Sequence, residues 1–290
     1  MNFAVDEATA IVEAACESFK VLGQKDIPES SRDKAIGQLL TALPYLDHLK
    51  YQYPEERFPF HLYRVRSQNG IGEEESVNQI KTFSYPSPQK CKTARANKEG
   101  CPVFYVADNP GTALKEAGCE QGEEVYVSEW QVTKAEKAGL FLFFDHALPA
   151  EHPWEKIRAG QEKQFNQSLA AAPEPIRKKW TQLHTAICKA FLGKDYQISS
   201  LIGHQLLHAH KESHVQLLVY PSTVEGEKYC NLAIHPQFAD THLQMGRIWK
   251  IRITDEAFKT RPEVLQTGYI SGETISWHMP DSQEGQNVPI

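Results

Sequence analysis

The 290-residue chain is 41% hydrophobic and 10% aromatic, enough for a real core in one large or two small domains. Its 31 Lys and Arg against 37 Asp and Glu leave a net charge of −6. That balance argues against a general nucleic-acid binder and against adhesion to an anionic membrane leaflet, both of which need a basic surface. No apolar run approaches the ~18 residues needed to span a bilayer. The opening MNFAVDEATAIVEAACESFK carries acids where a secretion signal carries basic residues, so the expected location is the cytoplasm. The six cysteines, at 16, 91, 101, 119, 188 and 230, form no C-x-x-C pair and read as reduced, partly buried small apolar residues.

The first fifty-odd residues read as a helical pair. Ala8, Ile11, Val12, Ala15, Phe19 and Leu22 recur at three-to-four spacing behind Asp6 as cap. Ser30-Ser31-Arg32-Asp33 then has capping-box form ahead of Ile36, Leu39, Leu40 and Leu43, with Pro44 as the stop. From about residue 58 the pattern becomes that of strands: PFHLYRVR, PVFYVA (102–107), EEVYVSEWQV (123–132), the apolar run 140–144, VQLLVY (215–220), CNLAI (230–234) and RIWKIRI (247–253). A helical insertion at about 152–210 separates the strands. It is broken into two arms at Pro173 and Pro175, and its second arm aligns Ile176, Trp180, Leu183, Ile187 and Phe191. After Pro280 the polar tail DSQEGQNVPI reads as loose. Strands interrupted by helices without regular βαβ alternation indicate α+β.

The chemistry-bearing stretch runs from Tyr63 to Glu116. A strand with Arg64 and Arg66 is followed by an Asn- and Gly-containing turn with Arg95, an aromatic strand with Tyr105, and a short helix. Asn109 suits the cap of that helix, Pro110 its first position and Gly118 its end. Glu116 then falls near the helix C-terminus, where the macrodipole disfavours a carboxylate; a plain surface glutamate is the blander reading. Guanidinium groups bind phosphate oxygens bidentately, a tyrosine can stack on a heterocycle, and a glutamate can stabilise positive charge growing on an anomeric carbon. Together these suit a dinucleotide, although spacing alone does not bring the residues together.

Other constellations are weaker. His204 and His208 share a helix face in GHQLLH, but a zincin-type site requires Glu where Gln205 stands. Packed or solvated histidines are the better reading there, and for His210 and His214. Glu73-Glu74-Glu75 reads as a solvated loop. There is no P-loop, no G-x-G-x-x-G after a strand and no G-x-S-x-G elbow, so Ser222 has no support as a hydrolase nucleophile.

The blocks LYRVR, FSYPSP, ARANKEGCPVFYVADNPGTALKE and LLVYPSTVEGEKYCNLAIHP resemble, in order, those of the RES domain family, over roughly residues 58–253. The resemblance implies an ADP-ribosyltransferase-like mixed β-sheet core, here with N-terminal helices (1–55), a catalytic domain (56–280) that holds the 152–210 insertion, and a flexible tail (281–290). It implies a bacterial toxin that consumes NAD+ by hydrolysis or phosphorolysis of the nicotinamide–ribose bond. The alternatives are ADP-ribosyl transfer to a macromolecule and a silent interaction module. Carried over by position, Arg64 and Arg95 would neutralise the pyrophosphate, with Arg66 in reserve. Tyr105 would pack on the nicotinamide ribose or ring, and Glu116 would stabilise the oxocarbenium-like transition state. Ser222 and Asn231 would fix the nicotinamide end. No metal and no cofactor beyond NAD+ as substrate is implied. Inorganic phosphate stands as a candidate co-substrate, and a cognate antitoxin and a second copy in a homodimer as candidate partners.

Overall fold

The computed structural model describes residues 5–22, 27–42, 51–52, 61–133, 138–193, 196–209, 215–255 and 261–280. In chain order they form α1 (Val5–Leu22), α2 (Glu29–Ala42), β1 (Tyr51–Gln52), β2 (His61–Ser67), β3 (Phe104–Ala107), α3 (Pro110–Glu116), β4 (Glu124–Val132), β5 (Gly139–Leu142), α4 (Glu155–Ser168), α5 (Glu174–Leu192), α6 (Tyr196–His204), β6 (Val215–Pro221), β7 (Cys230–Ile234), α7 (Pro236–His242), β8 (Leu243–Arg252), β9 (Glu263–Ser271) and β10 (Thr274–His278). The fold is α+β, and every strand pairing with a defined register is antiparallel. No described helix is long and apolar enough to cross a membrane.

Contacts divide the chain into two compact units. The first takes residues 1–53, 90–101 and 138–218, and the second takes 54–89, 102–137 and 219–290. In the first, α1 packs on α2 and α5. Its core holds Val12 and Ala15 from α1, Leu39 from α2, and Trp180, Leu183, Ile187 and Phe191 from α5. Phe191 stacks on Phe143 with ring centroids 3.7 Å apart. Buried Gln161 of α4 answers both polar groups of Leu142, accepting from its N–H (3.0 Å) and donating to its carbonyl (2.9 Å). This satisfies the polar groups of an apolar segment buried away from water. Lys179 pairs with Glu13 across α5 and α1.

The second unit is a sheet with strand order β7-β3-β2-β4-β8-β9-β10. Six consecutive residues of central β4, Val125 to Trp130, are buried, so strict alternation gives way there to burial on both faces. Helix α3 buries Ala113 and Leu114 against Tyr63, Ala107, Val125, Val127 and Trp249. Phe83, Tyr126 and Trp277 form an aromatic cluster with centroid distances of 5.1 to 6.4 Å.

Several boundaries differ from the sequence expectation. Asp6 lies inside α1, which begins at Val5. Ser30 lies inside α2, whose first turn hangs on the Pro28 carbonyl, which accepts from the Ser31 and Arg32 N–H groups. The apolar run at 140–144 is a strand only over Gly139–Leu142. The insertion makes three helices, not two arms, because α6 follows α5. Strands β9 and β10 and helix α7 had no counterpart in the sequence reading. Leu43, Pro44, His210, His214 and the 281–290 tail lie outside the described residues.

Candidate active site

The second unit brings together three of the expected residues, two of them donors to the carboxylate of the third. Helix α3 starts as its local sequence dictates: the Asn109 side chain accepts from the Thr112 N–H (3.0 Å) and Pro110 fills the first turn. Gly118, at φ +65°, supplies the left-handed residue that ends it. Glu116 is therefore the last helical residue, and it is exposed. Two donors offset the unfavourable macrodipole. Ser222 Oγ and Asn231 Nδ2 each donate to Glu116 Oε1 at 2.7 Å. Both contacts fall on the same oxygen, Oε1.

The donors are themselves fixed. Ser222 is fully buried; its N–H donates to the Tyr229 carbonyl (2.9 Å), its carbonyl accepts from Glu227 N–H (3.2 Å), and its Oγ also accepts from Val224 N–H (3.3 Å). Glu227 at φ 66° and Gly226 at φ 58° turn the chain back. Asn231 sits on β7 opposite Ala107 of β3. Just beyond that pair, Asp108 Oδ1 accepts from Cys230 N–H (2.9 Å) while Asp108 N–H donates to the Cys230 carbonyl (3.0 Å). Ser222 and Asn231 thus hold Glu116. The resemblance assigned them to the nicotinamide; the geometry makes both supports of the carboxylate. Asp108 and the ion pair between Lys115 and Glu225 escaped the sequence reading, because no local signal marks their partners.

Arg64 stands where β2 and β3 part. The ladder between these strands keeps register at Tyr63 and Ala107 only. One step further, Arg64 Nη1 donates to the Tyr105 carbonyl at 2.9 Å, in place of a ladder bond. The guanidinium lies 5.6 Å from the Phe104 ring centroid. Its Nε is buried without a hydrogen-bond partner, and no described carboxylate pairs with it. Burial, then the charge of Arg66, lowers its pKa to about 10. A buried cation without a counter-ion and with an unanswered donor is suited to an anion such as a phosphate. Tyr105 is half-buried on β3, and the register puts its ring on the sheet face shared with Ala107 and Asn231.

The other two arginines are engaged elsewhere. Arg66, the reserve phosphate contact, forms a fork with Glu75 (2.8 and 3.2 Å) and donates to the carbonyls of Gly70 (2.7 Å) and Thr82. Its charge is committed to tying down the 68–83 loop, and Glu75 is an ion-pair partner instead of part of a solvated acidic run. Arg95 belongs to the first unit. Its Nη1 donates to the carbonyls of Phe191 and, at 3.0 Å, Gly193 at the C-terminus of α5, and its guanidinium lies 5.2 Å from the Tyr196 ring centroid. This is a helix C-terminal cap by a cation. The turn that carries Arg95 is braced further: a Cβ on Gly203 of α6 would lie 2.5 Å from Ala96 Cα, so only glycine permits this approach. His204 and His208 stack at 5.4 Å, and no group of three or more candidate metal ligands occurs among the described residues.

The second unit of this α+β protein thus combines a doubly held glutamate at a helix end with an arginine that no described carboxylate pairs with. The RES domain family matches residues 61–254, most of the chain and a span that includes all seven expected site positions, and the protein belongs to that family. The family is linked to NAD+-related toxin activity. No curated protein matches the chain.

Proposed function

We propose that this protein consumes NAD+ by breaking the bond between nicotinamide and ribose, with water or inorganic phosphate as the acceptor of the ADP-ribosyl group. The observation that carries the reading is the asymmetry of Glu116: Ser222 and Asn231 both donate to Oε1, which orients the carboxylate and leaves Oε2 for the substrate. Nicotinamide in NAD+ is a cationic leaving group that departs as a neutral base. The barrier therefore lies mainly in the positive charge that develops on the ribosyl carbon. A carboxylate already held in place stabilises that charge without reorganising, the arrangement from which electrostatic catalysis draws most of its effect. Oε2 can equally hold a ribose hydroxyl or orient the attacking oxygen.

Arg64 serves the other end of the substrate. Its unanswered Nε and missing counter-ion fit a pyrophosphate oxygen, which would restore the charge balance that burial removes. Tyr105 beside it offers an aromatic face for the nicotinamide ribose. In the cell such consumption would deplete cytoplasmic NAD+, which agrees with a toxin role restrained by an antitoxin.

The test mixes purified protein with NAD+ and follows free nicotinamide, with and without inorganic phosphate. Release in either condition is the expected result. ADP-ribose as co-product identifies water as acceptor, and ADP-ribose 1-phosphate identifies phosphate. Label from NAD+ left on protein would replace this reading with ADP-ribosyl transfer, and no release in any condition would overturn it.

A further inference from the structure

The hydrogen bond between Ser222 and Glu116 joins residues 106 positions apart, and its length depends on how the Ser222–Tyr229 loop is held against α3. The loop's internal bonds, Ser222 N–H to Tyr229 O and Glu227 N–H to Ser222 O, fix its shape. They do not fix its distance from the helix. The Lys115–Glu225 ion pair does span that distance. Lys115 immediately precedes Glu116 on α3, and Glu225 follows Ser222 by three residues in the loop. The pair is partly buried, with the lysine side chain 34% and the glutamate side chain 17% exposed, so salt screens it less than it screens a fully exposed pair. The ammonium also sits in the last turn of α3, where the helix dipole favours a cation.

We propose that Lys115 and Glu225 form a positioning clasp that sets the reach between Glu116 and Ser222, and thereby the orientation of Glu116 Oε2. Neither residue touches the substrate in this scheme; both act through Glu116. The catalytic consequence rests on the NAD+-cleaving reading, whereas the clasp itself does not. The clasp is worth more than a surface ion pair because it multiplies a catalytic contact. A carboxylate displaced by a fraction of an ångström keeps its charge and loses its aim.

The experiment has two readouts on wild type, Lys115→Met, Lys115→Arg and Glu225→Gln. The first is amide hydrogen exchange at Val224 and Glu227, whose N–H groups donate to Ser222. It needs no substrate. Exchange there should quicken by about fivefold or more in Lys115→Met and Glu225→Gln, and stay near wild type in Lys115→Arg. The second readout is NAD+ turnover: kcat should fall by about tenfold in both neutralised variants, with KM changed by less than about threefold and kcat largely kept in Lys115→Arg. Unchanged exchange in Lys115→Met and Glu225→Gln overturns the clasp whatever the activity. Altered exchange with unchanged kcat overturns its catalytic role. A wild-type protein that releases no nicotinamide overturns the functional reading instead, and leaves the exchange result to decide the clasp.

Discussion

Arg95 in the first unit and Arg64 in the second are residues of the same type, both bonded to backbone carbonyls. They differ in what is left over. Arg95 closes the C-terminus of α5 with two carbonyls and lies against Tyr196. Arg64 meets one carbonyl and keeps a buried Nε without a partner. The contrast extends to their surroundings: the first unit satisfies its buried Gln161 from both sides, whereas the second holds Glu116 by a single oxygen.

The largest effect should come from the open carboxylate. Glu116→Gln preserves an oxygen that Ser222 and Asn231 can still reach, but removes the charge. We expect turnover of NAD+ to fall by at least about a hundredfold, roughly 3 kcal/mol of barrier. NAD+ affinity should stay within about threefold. Steady-state kinetics and a binding titration separate the two quantities; a variant with wild-type kcat would take Glu116 out of the mechanism and erase the contrast at its source.

The first unit makes its own prediction, through pH. His184 on α5 lies among Phe141 and Phe165, at ring distances of 6.5 and 5.9 Å, and burial lowers its pKa from 6.5 to about 4. The unfolded chain therefore takes up the proton before the folded one does. The stability this group contributes is complete above pH 6.5 and drains away as pH falls from 6.5 to 4, amounting to on the order of 3 kcal/mol. Denaturant titrations across that range should show wild type losing stability relative to His184→Gln as pH falls. Parallel curves would mean that His184 titrates alike in both states.

How much of this could be read beforehand depends on the range of each signal. Helix α3 was legible residue by residue, because Asn109, Pro110 and Gly118 act within one turn of themselves. The strands β2, β4, β7 and β8 were legible by their apolar patterns. β9 and β10 were not: Gly268, Gly272 and the polar positions of β10 dilute its alternation, and only Ile275 is buried along it. The set of Glu116, Ser222 and Asn231 came from family resemblance, since no spacing rule links positions 106 and 115 apart. Its internal hierarchy, with Ser222 and Asn231 holding Glu116, required coordinates. The same is true of the arginines. A guanidinium that meets a phosphate and one that meets a carbonyl look identical in a sequence, and Arg66 found Glu75 only nine residues away.

The last prediction sets the two arginines directly against each other. Arg95→Ala leaves the carbonyls of Phe191 and Gly193 without their charged donor, and should cost the folded state about 1 to 3 kcal/mol. Arg64→Ala removes one bond to the Tyr105 carbonyl, but also a buried cation that has no counter-ion, so the two changes oppose each other and the net cost should be smaller. Ligand reverses the ranking. ADP-ribose should raise the Tm of the wild type by binding only the folded state. That shift should survive in Arg95→Ala and shrink in Arg64→Ala, because only the second removes a donor that the fold leaves unused. Thermal unfolding of the three proteins with and without ADP-ribose measures both effects at once. If Arg95→Ala loses the ligand shift and keeps its Tm, the roles are exchanged, and the arginine bonded to the α5 terminus is the one that meets the phosphate.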